Sequence, residues 1–303
     1  MMVASDTAAT AGRARRLAEY MGQHVLAVSG TCVCRRLGSC QRAVLFDRRG
    51  TSRPEVDFAA GQLSHVGRHY DLMLDGVPCR ILVIAMETAR LRESVTLDQR
   101  YVEVMDSARL PYRDRNPHMK GVANALRLAL GREPGDDRKG EHLRVDGLGR
   151  PVHIFDAFAL GNLRLCSATV GGDMKSLSNP TMSRNCLPHL AATIKILEPT
   201  LCIVQGVQVH KTLTEVMSSR RSLAPHLEQV RLAGVDTLVA DFTSPSAWGT
   251  QGWGGLTHSY LRGTVAPALR VAHQLMRDPS APAGNPTVQR QRRHTAANDQ
   301  VRR

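Results

Sequence analysis

The chain has 303 residues, 42% of them hydrophobic, and carries a formal net charge of +13 from 40 Lys and Arg against 27 Asp and Glu. That length buries a sizeable core without a disulfide scaffold, and no apolar run reaches the roughly 18 residues that a membrane span requires. The positive balance concentrates polyanions, of which nucleic acid is the simplest, although basic tails alone would give the same balance.

The Arg cluster near the N-terminus is not followed by the long apolar stretch and cleavage site of a secretory signal, which predicts a cytoplasmic protein. Residues 13–28 read as a short helix, closing an N-terminal arm (1–28) ahead of a main domain over 29–276. The stretch GTCVCRRLGSC then packs Cys32, Cys34 and Cys40 into a turn-rich segment. Seven cysteines, an odd number, argue against a disulfide framework and leave metal ligation or burial. Cys79 and Cys202 sit in strand-like apolar runs and are assigned to the core.

Residues 81–86 form a continuous apolar run, as in a strand buried on both faces. Thr96 caps a predicted helix over 97–108, a second helix over 119–130 ends at Gly131, and the polar, Gly-rich stretch 131–151 reads as a surface loop. Strand character returns over 152–166. A loop over 167–182 leads to a helix whose apolar Leu187, Leu190, Ala191, Ile194 and Leu197 share one face, with Pro188 in the first turn and Pro199 as the stop. A strand at 201–204, a helix at 209–219, a strand at 237–240 and a helix at 258–276 follow. The tail over 277–303, Arg-rich after 288, is expected to be disordered. Strands separated by helices predict a single-domain, three-layer α/β/α fold around a mainly parallel sheet, with ligand sites beyond the carboxyl ends of the strands. A soluble monomer is expected.

Three segments, in order, resemble the iron-sulfur uracil-DNA glycosylases. In 161–206, Asn162 on a strand, Cys166 four residues on, Asn179 in a loop, Cys186 opening a helix, Pro199 and an apolar strand ending in Gly206 follow that family's middle segment. ILVIAMETA at 81–89 resembles its first motif. ADFTSPSAWGTQGWG at 240–254 resembles its second, in which a His-Pro-Ser tripeptide inserts into DNA. The resemblance implies a glycosylase-like fold, a DNA partner and a 4Fe-4S cluster on two cysteine pairs. Cys166 and Cys186 match the middle pair. The family's N-terminal pair has a two-residue spacer, whereas this chain offers Cys-x-Cys and Cys-x5-Cys, so Cys34 with Cys40 is assigned and Cys32 is the substitute. Zinc on the same thiolates is the alternative metal, and unrelated loop thiols the plain reading.

Excising a base requires extruding the nucleotide, reading its Watson-Crick edge and stabilising an electron-poor sugar while water attacks. An amide offers the donor and acceptor that the reading role needs, and Asn162 resembles the family's base-reading Asn; otherwise it is a turn residue. The family's Gly-Glu aligns with Ala85 and Met86, which leaves Glu87, one residue late, to position water, with Asp98 as a weaker alternative. The second motif reads Ser244-Pro245-Ser246, so Ser244 would supply a neutral hydrogen bond in place of an imidazole. Pro245, Ser246, Trp248 and Trp253 would contact DNA, the rings by stacking or wedging, unless the tryptophans pack in the core. His118, His189, His210 and His258 read as ordinary surface histidines, and GLGR and VGGD lack the pattern of a phosphate loop. The expected function is a DNA-binding, base-excising hydrolase of DNA repair. Its rivals are a noncatalytic nucleic-acid-binding or regulatory protein on the same fold, and an α/β protein with another ligand at the same sheet edge.

Overall fold

A computed structural model describes residues 2–88, 94–171, 176–177 and 179–278. From residue 279 on, the tail expected to be disordered lies outside the described residues. The main sheet has seven strands, β1 (His65–Val66), β2 (Ile81–Ala85), β3 (Ala159–Asn162), β4 (Leu201–Gln205), β5 (Met217–Ala224), β6 (Leu227–Leu232) and β7 (Val235–Phe242), in the order β5-β6-β7-β4-β2-β3-β1. The adjacent strands β7, β4, β2 and β3 pair in parallel. The flanking pairs β5-β6, β6-β7 and β3-β1 are antiparallel.

The fold is therefore mixed α/β, and the mainly parallel sheet expected from the sequence is corrected to a mixed one. The difference comes from residues 217–232. A helix expected over 209–219 ends at Leu213, and Met217–Ala224 turns back as an edge strand paired to β6. Its Ser and Arg side chains face solvent, so it lacks the apolar alternation that marks a half-buried strand.

Seven α-helices surround the sheet among the described residues: α1 (Thr7–His24), α2 (Leu37–Leu45), α3 (Leu97–Arg109), α4 (Pro117–Ala129), α5 (Pro180–Leu197), α6 (Val207–Leu213) and α7 (Ala266–Arg277). Alternation along the strands sends Ile81, Val83, Leu201 and Ile203 into one core with α4 and α7. It sends Leu82, Ile84, Cys202 and Val204 into a second core with α1, α5 and α6. Helices thus cover both faces, and Leu17 and Met21 of α1 are part of the second core. None of these helices is long and apolar enough to cross a membrane.

Local chemistry explains the helix starts. Asp6, Asn116 and Asn179 accept backbone N–H bonds at the heads of α1, α4 and α5, and Thr96 with Gln99 forms a reciprocal capping box at α3. Asn179 is therefore the cap of a helix that begins at Pro180, inside the loop expected over 167–182, and Pro188 lies in its interior rather than in its first turn. The stretch 131–151 is tied down more firmly than a surface loop. Arg127 donates to the carbonyls of Glu133, Gly135 and Asp137, and Arg115 grips Glu141 with bonds of 2.6 and 2.7 Å.

Candidate functional site

Because β7, β4, β2 and β3 run in parallel, their carboxyl ends share one edge of the sheet, and four sequence-remote segments meet there. Asn162 closes β3 opposite Ala85, the last residue of β2. It is 6% exposed, and its Nδ2 donates to Thr88 Oγ1 at 3.2 Å. Ser167 Oγ donates to the Thr88 carbonyl at 2.5 Å, so the turn after β2 is also strapped to the next strand, Cys166–Val170. The Asn162 Oδ1 has no partner among the described residues.

Glu87 lies in the same turn, but its side chain is held. Arg164, 1% exposed, donates to the Glu87 carboxylate at 3.2 Å, to the Leu177 carbonyl and to Ser183 Oγ. The Glu87 side chain is 3% exposed, and its second oxygen is buried without a partner among the described residues. Burial pushes its carboxyl up to about 7, against the pull of Arg164. It is a guarded carboxyl near neutrality rather than an open acid. Asp98 is placed elsewhere, in the first turn of α3.

The loop after β7 divides its residues between anchors and tip. Pro245 is buried on α4, where a Cβ at Gly121 would stand 2.5 Å from Pro245 Cβ. The Pro245 carbonyl accepts from the backbone of Trp253 and Gly254. Trp253 is 0% exposed and donates from Nε1 to the Thr243 carbonyl at 2.7 Å. Trp253 is thus corrected from a DNA contact to a core residue, because its ring is packed edge-on to Phe242 and its one polar atom is satisfied. Trp248, in contrast, is 89% exposed. Ser244 and Ser246 hydrogen-bond each other at 3.0 Å beside it.

The cysteines of the N-terminal and middle segments come together. Cys186 Sγ accepts from the backbone N–H of Leu165, next to Cys166. Asn185 Nδ2 donates to Cys40 Sγ at 3.3 Å, and Cys40 and Cys166 share one apolar cluster. One turn along α5 from Cys186, His189 Nε2 lies 3.8 Å from Cys34 Sγ, and its Nδ1 pairs with Tyr20 Oη at 3.0 Å. Burial pushes the Cys166 thiol well up, and the neighbouring thiols of Cys186, Cys40 and Cys32 add to the shift. Cys40 sits on α2 rather than in a loop. Among the described residues, no group of three or more His, Cys, Asp or Glu has the spacing that holds one metal ion.

Three residues at this end were not singled out by the sequence: Arg164, Thr88 and Gln205. Arg164 and Gln205 had a visible signal, each being a polar residue inside an apolar strand-like run. His189 is half-buried and bonded rather than an idle surface histidine. A cavity of about 580 Å³ lined by Arg68, Tyr101, Arg109, Arg138 and Arg150 lies beside the Ile154–Asp156 turn that precedes β3, at the opposite end of that strand from Asn162. No family model matches the chain, and no curated protein matches it.

Proposed function

We propose that the chain is a base-excising protein of the uracil-DNA glycosylase type that acts as a monomer on DNA and hydrolyses the N-glycosidic bond of an extruded base. The observation that carries this reading is the meeting, at one sheet edge, of the Asn162 amide, the Glu87–Thr88 turn and the anchored loop that presents Trp248. Asn162 keeps Oδ1 as an acceptor and one Nδ2 hydrogen as a donor, the pair that a lactam N–H and carbonyl require. Glu87, with its pKa near 7, suits a group that orients and deprotonates water. Trp248 supplies an exposed ring for stacking on a base or wedging into a step, and Ser244 and Ser246 offer hydroxyls for the backbone. The net charge of +13 supplies the sequence-independent attraction to phosphate.

Cys34, Cys40, Cys166 and Cys186 would hold a 4Fe-4S cluster, for which four thiolates are the usual ligand set. When bound, such a cluster would tie the N-terminal segment to α5 and to the strand Cys166–Val170; the reaction itself falls to the side chains at the strand ends.

A noncatalytic, DNA-binding reading is favoured by one observation, the grip of Arg164 on Glu87. The two are separated by incubating the purified protein with a single-stranded oligonucleotide containing one uracil, with Asn162→Ala and Glu87→Gln beside it, and scoring binding and cleavage on the same samples. Cleavage lost in both variants supports excision. Binding retained without cleavage in the wild type assigns the noncatalytic role.

A further inference from the structure

Gln205, the last residue of β4, is 3% exposed, and both its Oε1 and its Nε2 are buried without a hydrogen-bond partner among the described residues. An amide with neither end satisfied is rare, because each atom has given up water for nothing. Its position gives that expense a use. Leu201 and Ile203 of β4 belong to the core under α4 and α7, so by alternation Gln205 faces the same side. Leu160 of β3 belongs to that core too, which puts Asn162 on the same side. Ala85, paired to Asn162, lies on the strand between them. Two amides therefore flank a methyl-sized side chain at the strand ends, with their Cα atoms about two strand spacings, roughly 10 Å, apart. Gly206 follows with φ 127°, a backbone region that only glycine adopts freely, and turns the chain off the sheet immediately beyond Gln205.

We propose that Gln205 is a second base-reading amide at this sheet edge, and that its ligand is a base with a carbonyl on each side of a ring N–H. Asn162 Oδ1 accepts from the ring N–H while its remaining Nδ2 hydrogen donates to one carbonyl; Gln205 Nε2 donates to the other. Uracil and xanthine carry that pattern, whereas hypoxanthine has one carbonyl and adenine none. The identity of the ligand as a base rests on the excision reading above; the role of Gln205 rests on its own orphaned amide.

The test uses the full chain and Gln205→Met, which keeps the length of the side chain and removes both polar atoms, with Gln205→Leu as a second variant. Thermal shift with free uracil, xanthine, hypoxanthine and adenine is read beside cleavage of the uracil oligonucleotide. The inference expects the ligand-free melting temperature of Gln205→Met to rise by a few degrees, because the orphan is gone. It expects affinity for uracil and xanthine to fall at least tenfold, to the level of hypoxanthine. A variant that gains stability yet binds and cleaves as the wild type does overturns the inference and leaves the amide a buried orphan with no ligand. If the wild type binds uracil and xanthine through Gln205 but cleaves nothing, excision fails and the inference stands. If Asn162→Ala abolishes cleavage while both Gln205 variants cleave normally, excision stands and the inference fails. A wild type that binds no base and cleaves nothing overturns both.

Discussion

Glu87 makes the fold depend on pH in a direction opposite to that of most paired carboxylates. Its side chain is 3% exposed, with one oxygen 3.2 Å from Arg164 and the other without a partner among the described residues. Burial raises its pKa from 4.5 to about 7, so the folded chain keeps a proton that the unfolded chain releases. For a carboxyl raised in this way, the stabilisation is fully present below pH 4.5 and is lost as pH climbs to about 7. At 1.36 kcal/mol per pH unit, the loss across that window is about 3 kcal/mol. Glu87→Gln mimics the protonated acid and does not titrate. Urea unfolding of both proteins is therefore expected to give similar stabilities near pH 4, and a Gln variant more stable by about 3 kcal/mol near pH 8. The comparison is between the two proteins at each pH, so the titration of other groups cancels. If the variant is the less stable protein near pH 8, the ion pair with Arg164 outweighs burial. Glu87 is then an ionised structural partner and not a base held near neutrality.

Trp248→Ala is expected to weaken binding of a single-stranded oligonucleotide roughly tenfold or more without moving the melting temperature, since a stacked base is worth about 1–3 kcal/mol; fluorescence anisotropy measures it. Trp253→Ala is expected to do the reverse at first order, costing about 3–5 kcal/mol of stability because the ring is fully buried, and denaturant titration reads that loss. Gly206→Ala forces a side chain into a backbone with φ 127° and should cost about 1–3 kcal/mol in the same assay. Anaerobically purified protein is expected to carry iron and acid-labile sulfide in equal amounts, and Cys166→Ala to lose both. His189→Leu, which removes the contact to Cys34 Sγ, should shift the reduction potential of the metal group while leaving its iron content unchanged.

The sequence made the framework legible wherever periodicity and capping agreed. Thr96 announced α3, and the buried runs at 81–86 and 201–204 are β2 and β4 to within a residue. It was silent about residues 217–232, because an exposed hairpin whose outer strand carries Ser and Arg has no apolar stripe to show. Of the candidate site, Asn162 was legible as a polar residue closing a strand, and the gathering of thiols as a matter of order along the chain. What chain order does not carry is orientation. Glu87 lies in the expected turn, yet its side chain is bonded to Arg164, whose place in an apolar run marks it as unusual without naming its partner. Trp248 and Trp253 stand five positions apart in one Gly-rich loop, and only packing against Gly121 and Phe242 separates the exposed ring from the buried one. Gln205 escaped notice because its significance is the absence of a partner, which a sequence does not display.

The most direct test of the central claim is cleavage of a single-stranded oligonucleotide containing one uracil by the wild type and by Asn162→Ala. The account predicts an abasic site formed by the wild type and a rate at least a hundredfold lower in the variant, with both proteins equally stable. A wild type that neither binds nor cleaves the oligonucleotide, or a variant that cleaves as fast as the wild type, would contradict it.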